Sequence, residues 1–194
     1  MMNHRSLALA MCAGAVLALS ACSTLFNEQP GLAAKDVQHV SVIHSLNWTN
    51  GVTGKRDGAR SSWPLASLRN HEEIFPLAQI KQCDKTGACT FGIMSAQRTV
   101  SAWRHVPGGV KLDLALDIDI DRSGRARQPG LSAAMTIPAD VPALRWKGGF
   151  KRSFMLVYGQ VQHIDLDYGI SFDVCALRYD ATGHALDVCD ILYL

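Results

Sequence analysis

Cysteine carries the most specific chemistry this sequence could perform. Cys12 and Cys22 lie in or at the end of an apolar N-terminal run, and Cys83, Cys89, Cys175 and Cys189 lie in the body of the chain. An even set of four thiols forms two disulfides where the compartment is oxidising. Zinc would want C-x-x-C pairs or a neighbouring pair of histidines. The spacing offers neither, so no metal is expected at these residues.

The acidic and imidazole groups point to structure before catalysis. Asp119-x-Asp121-x-Ser123-Gly124 matches the opening of a calcium loop, but Gly130 stands where a bidentate glutamate would close it. A solvated strand face and a turn are expected there instead. Asp113, Asp117, Asp119, Asp165, Asp167 and Asp173 could line one acidic sheet surface. Acid–base work needs a cleft and unequal environments, so a solubilising stripe is expected. No Gly-x-Ser-x-Gly, His-Glu-x-x-His or phosphate-binding glycine loop occurs, and His71-Glu72-Glu73 lacks a second histidine. His39 and His44 fall on opposite strand faces, and His105, His163 and His184 sit singly near turns. No catalytic residue and no cofactor is expected, and the chain does not read as an enzyme.

Recognition chemistry concentrates elsewhere. Segment 47–76 is the longest without clear periodicity, and it holds Trp48, Trp63 and the cluster Lys55, Arg56 and Arg60. Flat rings and cations on a long loop make contacts with partners. Trp48, Arg60 and Trp63 are therefore the expected binding residues, with a short helix at 65–73 after Pro64. Two further basic clusters, Arg122 to Arg127 and Arg145 to Arg152, sit among glycines and read as solvated loops.

The elements that position these groups are strands. Segment 37–46 reads as a first strand, with Val40, Val42 and His44 on one face. Segment 110–121 alternates strictly, with Val110, Leu112, Leu114, Leu116, Ile118 and Ile120 on one side. Ile164, Leu166, Tyr168, Ile170, Phe172 and Val174 repeat that pattern. One turn form recurs at Asp84, Asp121 and Asp180: Asp-x-(Ser/Thr)-Gly. Aspartate opening a type I turn, with glycine in the left-handed position, closes a three-residue hairpin loop. Asp84 then pairs with Ala88 and Asp180 with His184, and counting outward sets Cys83 opposite Cys89 and Cys175 opposite Cys189. The same count opposes Phe172 with Leu192, Ile170 with Leu194 and Ala176 with Val188. In the middle hairpin it opposes Leu114 with Ser132 and Leu112 with Ala134, with a bulge expected near 127–130, where Pro129 cannot donate to a ladder. Short strands, glycine turns and almost no helix predict an all-β antiparallel sandwich over 37–194, with disulfide-bridged hairpins. Segment 171–186, with Tyr-Asp-Ala-Thr-Gly at its turn, resembles a terminal hairpin of immunoglobulin-like domains, so the sandwich is expected to be of that kind.

The first residues set an address. A start carrying Arg5, an apolar stretch from Leu7 to Leu19 and a small-residue exit read as a signal peptide over 1–21. The run is shorter than the roughly 20 apolar residues that span a bilayer. Leu19-Ser20-Ala21-Cys22 resembles the lipobox of bacterial lipoproteins. That resemblance implies cleavage before Cys22, lipid on its sulfur and amine, and stable anchoring through several acyl chains. Ser23, where the family places aspartate for inner-membrane retention, implies export to the outer membrane. Segment 22–36, broken by Pro30-Gly31, reads as a flexible tether.

A formal net charge of +2 argues against a nucleic-acid partner. The expected function is a non-enzymatic outer-membrane lipoprotein, facing the periplasm, that binds another envelope component, a protein first of all. The alternative is an inhibitor or immunity lipoprotein that blocks an incoming hydrolase or toxin. The Ser-Gly-x-x-Tyr motif of lysozyme inhibitors is missing, since Arg125, Ala126 and Arg127 follow Ser123-Gly124.

Overall fold

The computed structural model describes residues 39–65, 70–126 and 133–191. Segment 1–21, Cys22 and the tether 22–36 lie outside the described residues. The strands are β1 (His39–Thr49), β2 (Arg56–Pro64), β3 (His71–Ile74), β4 (Ala78–Cys83), β5 (Cys89–Val106), β6 (Gly109–Asp121), β7 (Ser123–Arg125), β8 (Ala134–Thr136), β9 (Trp146–Val157), β10 (Gln162–Asp165) and β11 (Ser171–Tyr179). The first sheet runs β10-β11-β1-β2; the second runs β3-β5-β6-β9, with β4 also on β5; β7 and β8 form a separate ribbon. All the paired strands are antiparallel.

One apolar core joins the two sheets into a sandwich. Val40, Val42, Leu46 and Trp48 of β1 and Phe172 and Val174 of β11 meet Met94, Ala96 and Val100 of β5 and the even-numbered residues of β6. The alternation of β6 holds without a slip: each even residue from Val110 to Ile120 is buried. β1 is central in its sheet and buried on both faces, so Ser41, His44, Ser45 and Asn47 are buried along with its apolar residues. On its outer side Ile43 packs with Cys175, Leu177 and Ile191, so the C-terminal segment covers that face.

Both disulfides are present as Cys83–Cys89 and Cys175–Cys189. The Asp84 and Asp180 turns place them. Each aspartate Oδ1 accepts from the amide and hydroxyl of the threonine two residues on, and from a second amide at Ala88 or His184. Gly87 and Gly183 take positive φ, which a side chain would resist. Cys175–Cys189 closes the longer loop and pins the tail over Ile43. Converting Cys175 and Cys189 to alanine is expected to cost about 3 kcal/mol, against about 2.4 kcal/mol for Cys83 and Cys89, by loop-entropy reasoning. Urea midpoints of the two double variants check the order.

Four sequence expectations are corrected. First, 47–76 is no loop. β1 continues to Thr49, and β2 and β3 follow. β2 is an edge strand whose outward residues are polar or glycine, so its alternation is hidden. The expected helix at 65–73 gives way to β3 at His71, and 66–69 lie outside the described residues.

Second, Asp121 closes no hairpin. β6 pairs with β9 across the sheet, and the chain turns from Asp121 into β7, which pairs with β8. Leu114 faces Arg152 and Leu112 faces Phe154, so the expected partners Ser132 and Ala134 do not meet them. The long return through the twelve-residue β9 offers a partner along nearly all of β6, which the three-residue β8 cannot. The basic run Arg145 to Arg152 therefore lies largely on a strand instead of a loop. Residues 127–132 lie outside the described residues.

Third, Ile164 to Val174 is itself a hairpin. A 3-10 turn at Asp167–Gly169 reverses the chain, Tyr168 takes φ 60°, and Ile164 pairs with Phe172. Because the two arms meet in register, the apolar positions stay on one face and the alternation survives the reversal. Fourth, β10 occupies the flank of Phe172 that the C-terminal tail was expected to fill, and Gly159 donates to the carbonyl of Ala176. Among the described residues the tail bridges the sheet only at Ala185, and Val188 is exposed; Leu192 and Leu194, the expected partners of Phe172 and Ile170, lie outside the described residues. The six aspartates consequently divide between the sheets, with Asp113, Asp117 and Asp119 on β6 and the others on β10, its turn and β11.

Candidate functional site

Trp63 is 4% exposed and Trp48 5%, both inside the core. Each stands on a strand with its ring turned inward, so the reading of them as surface anchors is corrected. Arg60 is exposed on β2, beside two rings that face away from solvent.

What Trp63 touches is a buried polar cluster between the sheets. Arg98 of β5 has no exposed surface, and its guanidinium lies 3.8 Å over the Trp63 ring. Its Nη2 donates to Glu73 Oε2 at 3.0 Å and to His71 Nδ1 at 2.8 Å. His44 of β1, also without exposed surface, sets Nε2 3.1 Å from the same Glu73 oxygen. Arg98 sits at an inward position in strict alternation with Ala96 and Val100. The chain places a cation where the pattern demands an apolar residue, and Glu73 on the neighbouring β3 supplies the counter-charge. Burial lowers the Arg98 pKa to about 10, which leaves it cationic at neutral pH. Burial alone would raise Glu73; the hydrogen bond from His44 and the charges of His44 and Arg98 outweigh it and hold the carboxyl below its ordinary value.

This cluster gives stability a dependence on pH. Burial lowers His44 from the usual 6.5 by more than its hydrogen bond to Glu73 raises it; burial and the Arg98 charge also lower His71. The unfolded chain therefore takes up protons near pH 6.5 that the folded chain refuses, and stability falls as pH drops below that point. His163 acts in the opposite sense. Hydrogen bonds to Asp173 and Asp165 raise it, so its contribution is present at acid pH and lost as pH rises through the folded pKa. Urea midpoints from pH 8 to pH 5 are expected to fall, and to fall more steeply in His163→Gln, where the opposing contribution is gone.

Each polar network also holds a serine hydroxyl: Ser61 on the Glu73 carboxylate, and Ser45 in the chain that leads to Asp173. The hydroxyl in the His163 network, Ser45, donates to Asn47 Oδ1 at 2.7 Å, and Asn47 donates to Asp173. The calcium-like aspartates are spoken for by cations of β9 and its approach: Asp119 by Lys147 at 3.0 Å and Asp121 by Arg145 at 3.1 Å. Among the described residues no cluster of three or more ligating side chains exists. Arg122, expected in a solvated loop, donates to the carbonyls of Pro138 and Val141 and staples 137–141 down.

The accessible candidate is the outer face of the second sheet. Ser95, Gln97, Thr99 and Ser101 of β5, Asp113, Asp117 and Asp119 of β6, and Lys147, Lys151 and Ser153 of β9 line adjoining hollows of about 270 and 770 Å³. Arg125 of β7 closes one end. Register explains the charge pattern: Asp119 faces Lys147, Ala115 faces Lys151, and Asp113 faces Ser153, whose hydroxyl donates to it. Compared with known proteins, the chain matches no family model, no curated sequence and no solved structure. Function must therefore be argued from the face itself. The face offers hydroxyls, amides, carboxylates and ammonium groups over a backbone floor. It can hold a polar partner in register, and the sequence shows its two halves only as separate charge runs, because β6 and β9 pair from a distance.

Proposed function

We propose that the protein is an outer-membrane-anchored lipoprotein, held by lipid on Cys22, whose sandwich binds another envelope component, a protein, without catalysing a reaction. The observation that carries this reading is the trough over β5, β6 and β9, whose alternating carboxylates, hydroxyls and ammonium groups suit complementary recognition. The lipobox ending in Cys22 supports the anchor, and two disulfides support an oxidising compartment.

Two measurements test it. Mass spectrometry of the mature N-terminus is expected to find acyl groups on Cys22, and Cys22→Ala is expected to leave the protein soluble or uncleaved; an unmodified terminus cut elsewhere overturns the anchor. A photo-crosslinking residue at Thr99, in the trough, is expected to capture a resident envelope protein. Capture of an incoming hydrolase would assign the protein to inhibition or immunity instead. Turnover of an envelope polymer by the purified domain would overturn the non-enzymatic reading.

A further inference from the structure

Among the described residues β9 ends the second sheet, with β6 on one side and no strand on the other. In an antiparallel ladder alternate residues aim their N–H and C=O groups at the partner, and the residues between aim theirs away. Two contacts fix which residues of β9 face outward. The carbonyl of Met155 accepts from the side chain of Gln162, and that of Val157 from the amide of Gln160. The odd-numbered residues therefore point away from β6, and the even-numbered Tyr158 just beyond the strand donates back to Gly108. From Met155 onward the edge is covered, and at its other end Trp146 meets Tyr168 of the β10–β11 turn. Between these stops Lys147, Gly149, Lys151 and Ser153 face outward, and among the described residues no other strand pairs with them.

Charge selects what could pair there. Arg145, Lys147, Lys151 and Arg152 lie along this edge, and 145–157 contains no acidic residue. Among the described residues, the ion pairs of this strand and its approach are Arg145 with Asp121 and Lys147 with Asp119, and both cations stay largely in solvent. Arg152 spreads over Phe150 and Phe154 at the sandwich rim. Edge lysines also discourage indiscriminate pairing. A second copy is disfavoured: antiparallel pairing of two β9 strands about Gly149 would set Lys147 of each against Lys151 of the other. The hollow of about 770 Å³ that Gly148 to Ser153 line together with Thr99 and Ser101 of β5 and Asp113 and Asp117 of β6 lies over the sheet face inside this edge, where an added strand would turn alternate side chains.

We infer that the β9 edge between Lys147 and Ser153 accepts an extended, acidic segment of a partner protein as an added strand. The inference rests on the binding function proposed above and names its partner chemistry. Backbone hydrogen bonds at the four outward residues would supply affinity. Glutamate or aspartate at alternate positions would face Lys147 and Lys151 on the trough side.

The test uses the full mature chain and a short synthetic peptide alternating glutamate and threonine, against the same peptide with lysine for glutamate. Hydrogen exchange at the amides of Lys147, Gly149, Lys151 and Ser153 is expected to slow by about tenfold or more with the acidic peptide alone. Lys151→Pro removes one outward N–H while leaving the β6 ladder intact, and it is expected to abolish that protection. Lys151→Glu alone, which leaves Arg152 on its two rings, is expected to do the same with an unchanged melting temperature, which guards against misfolding of the proline variant. Equal protection by the basic peptide, or protection mapping elsewhere, overturns the inference. In cells, capture from Thr99 that persists unchanged in Lys151→Pro overturns edge docking and leaves the binding function standing. Capture lost in that variant supports it, and no envelope protein captured in either form overturns both.

Discussion

Arg98→Ala is expected to destabilise the protein by about 3–5 kcal/mol, the cost of breaking a buried ion pair from one side. Arg98 is wholly enclosed, and its loss takes from Glu73 the one permanent cation it pairs with in this cluster. The lost cation is also the partner of the Trp63 ring, so packing and a cation–π contact go with the charge. The expected remedy separates these effects. Arg98→Met with Glu73→Gln removes both charges while keeping most of the volume, and it should recover the larger part of the loss. Urea denaturation of the two variants decides. If Arg98→Ala costs less than about 1 kcal/mol, the cluster is solvated in solution and carries no such weight. If the double variant is as damaged as the single, packing and not stranded charge is the cause.

Arg98 also shows why part of this molecule was illegible in its sequence. β6 could be read whole because its two faces differ at every step, and the Asp84 and Asp180 loops because turn chemistry is local. Those loops set both cysteine pairs without any knowledge of the rest. β5 breaks its own pattern with an inward arginine, and only the arrival of Glu73 from β3 makes that position tolerable. β2 reads as a polar loop for a related reason, since as an edge strand it buries little besides Ala59, Ser61 and Trp63. The β6–β9 pairing crosses an excursion through β7 and β8 that no local rule spans. The trough inherits that difficulty. Its acids were visible on β6 and its bases at 145–152, but their register is a property of the sheet.

Trp63→Ala is expected to cost about 3–5 kcal/mol of stability, the range for deleting a large aromatic side chain from a packed core. The ring is 4% exposed and pairs across the ladder with Val42, which lies in the same core. Its faces and edge are all used: the Arg98 guanidinium lies over it, His71 stacks at 5.5 Å, and His44 approaches edge-on at 5.2 Å. Removing it opens a cavity against groups that need an ordered surround, because His44 Nδ1 and Arg98 Nε and Nη1 have no hydrogen-bond partner among the described residues. The loss should not simply add to that of Arg98→Ala. The two share one contact, so the double variant should be less damaged than the sum by about 1–2 kcal/mol. Thermal melts and urea midpoints of the single and double variants complete the cycle. Binding measured on folded Trp63→Ala, at a temperature well below its transition, should match wild type. A variant that keeps its stability but loses its partner would return Trp63 to the binding surface and make the enclosed ring seen here a closed state of that surface.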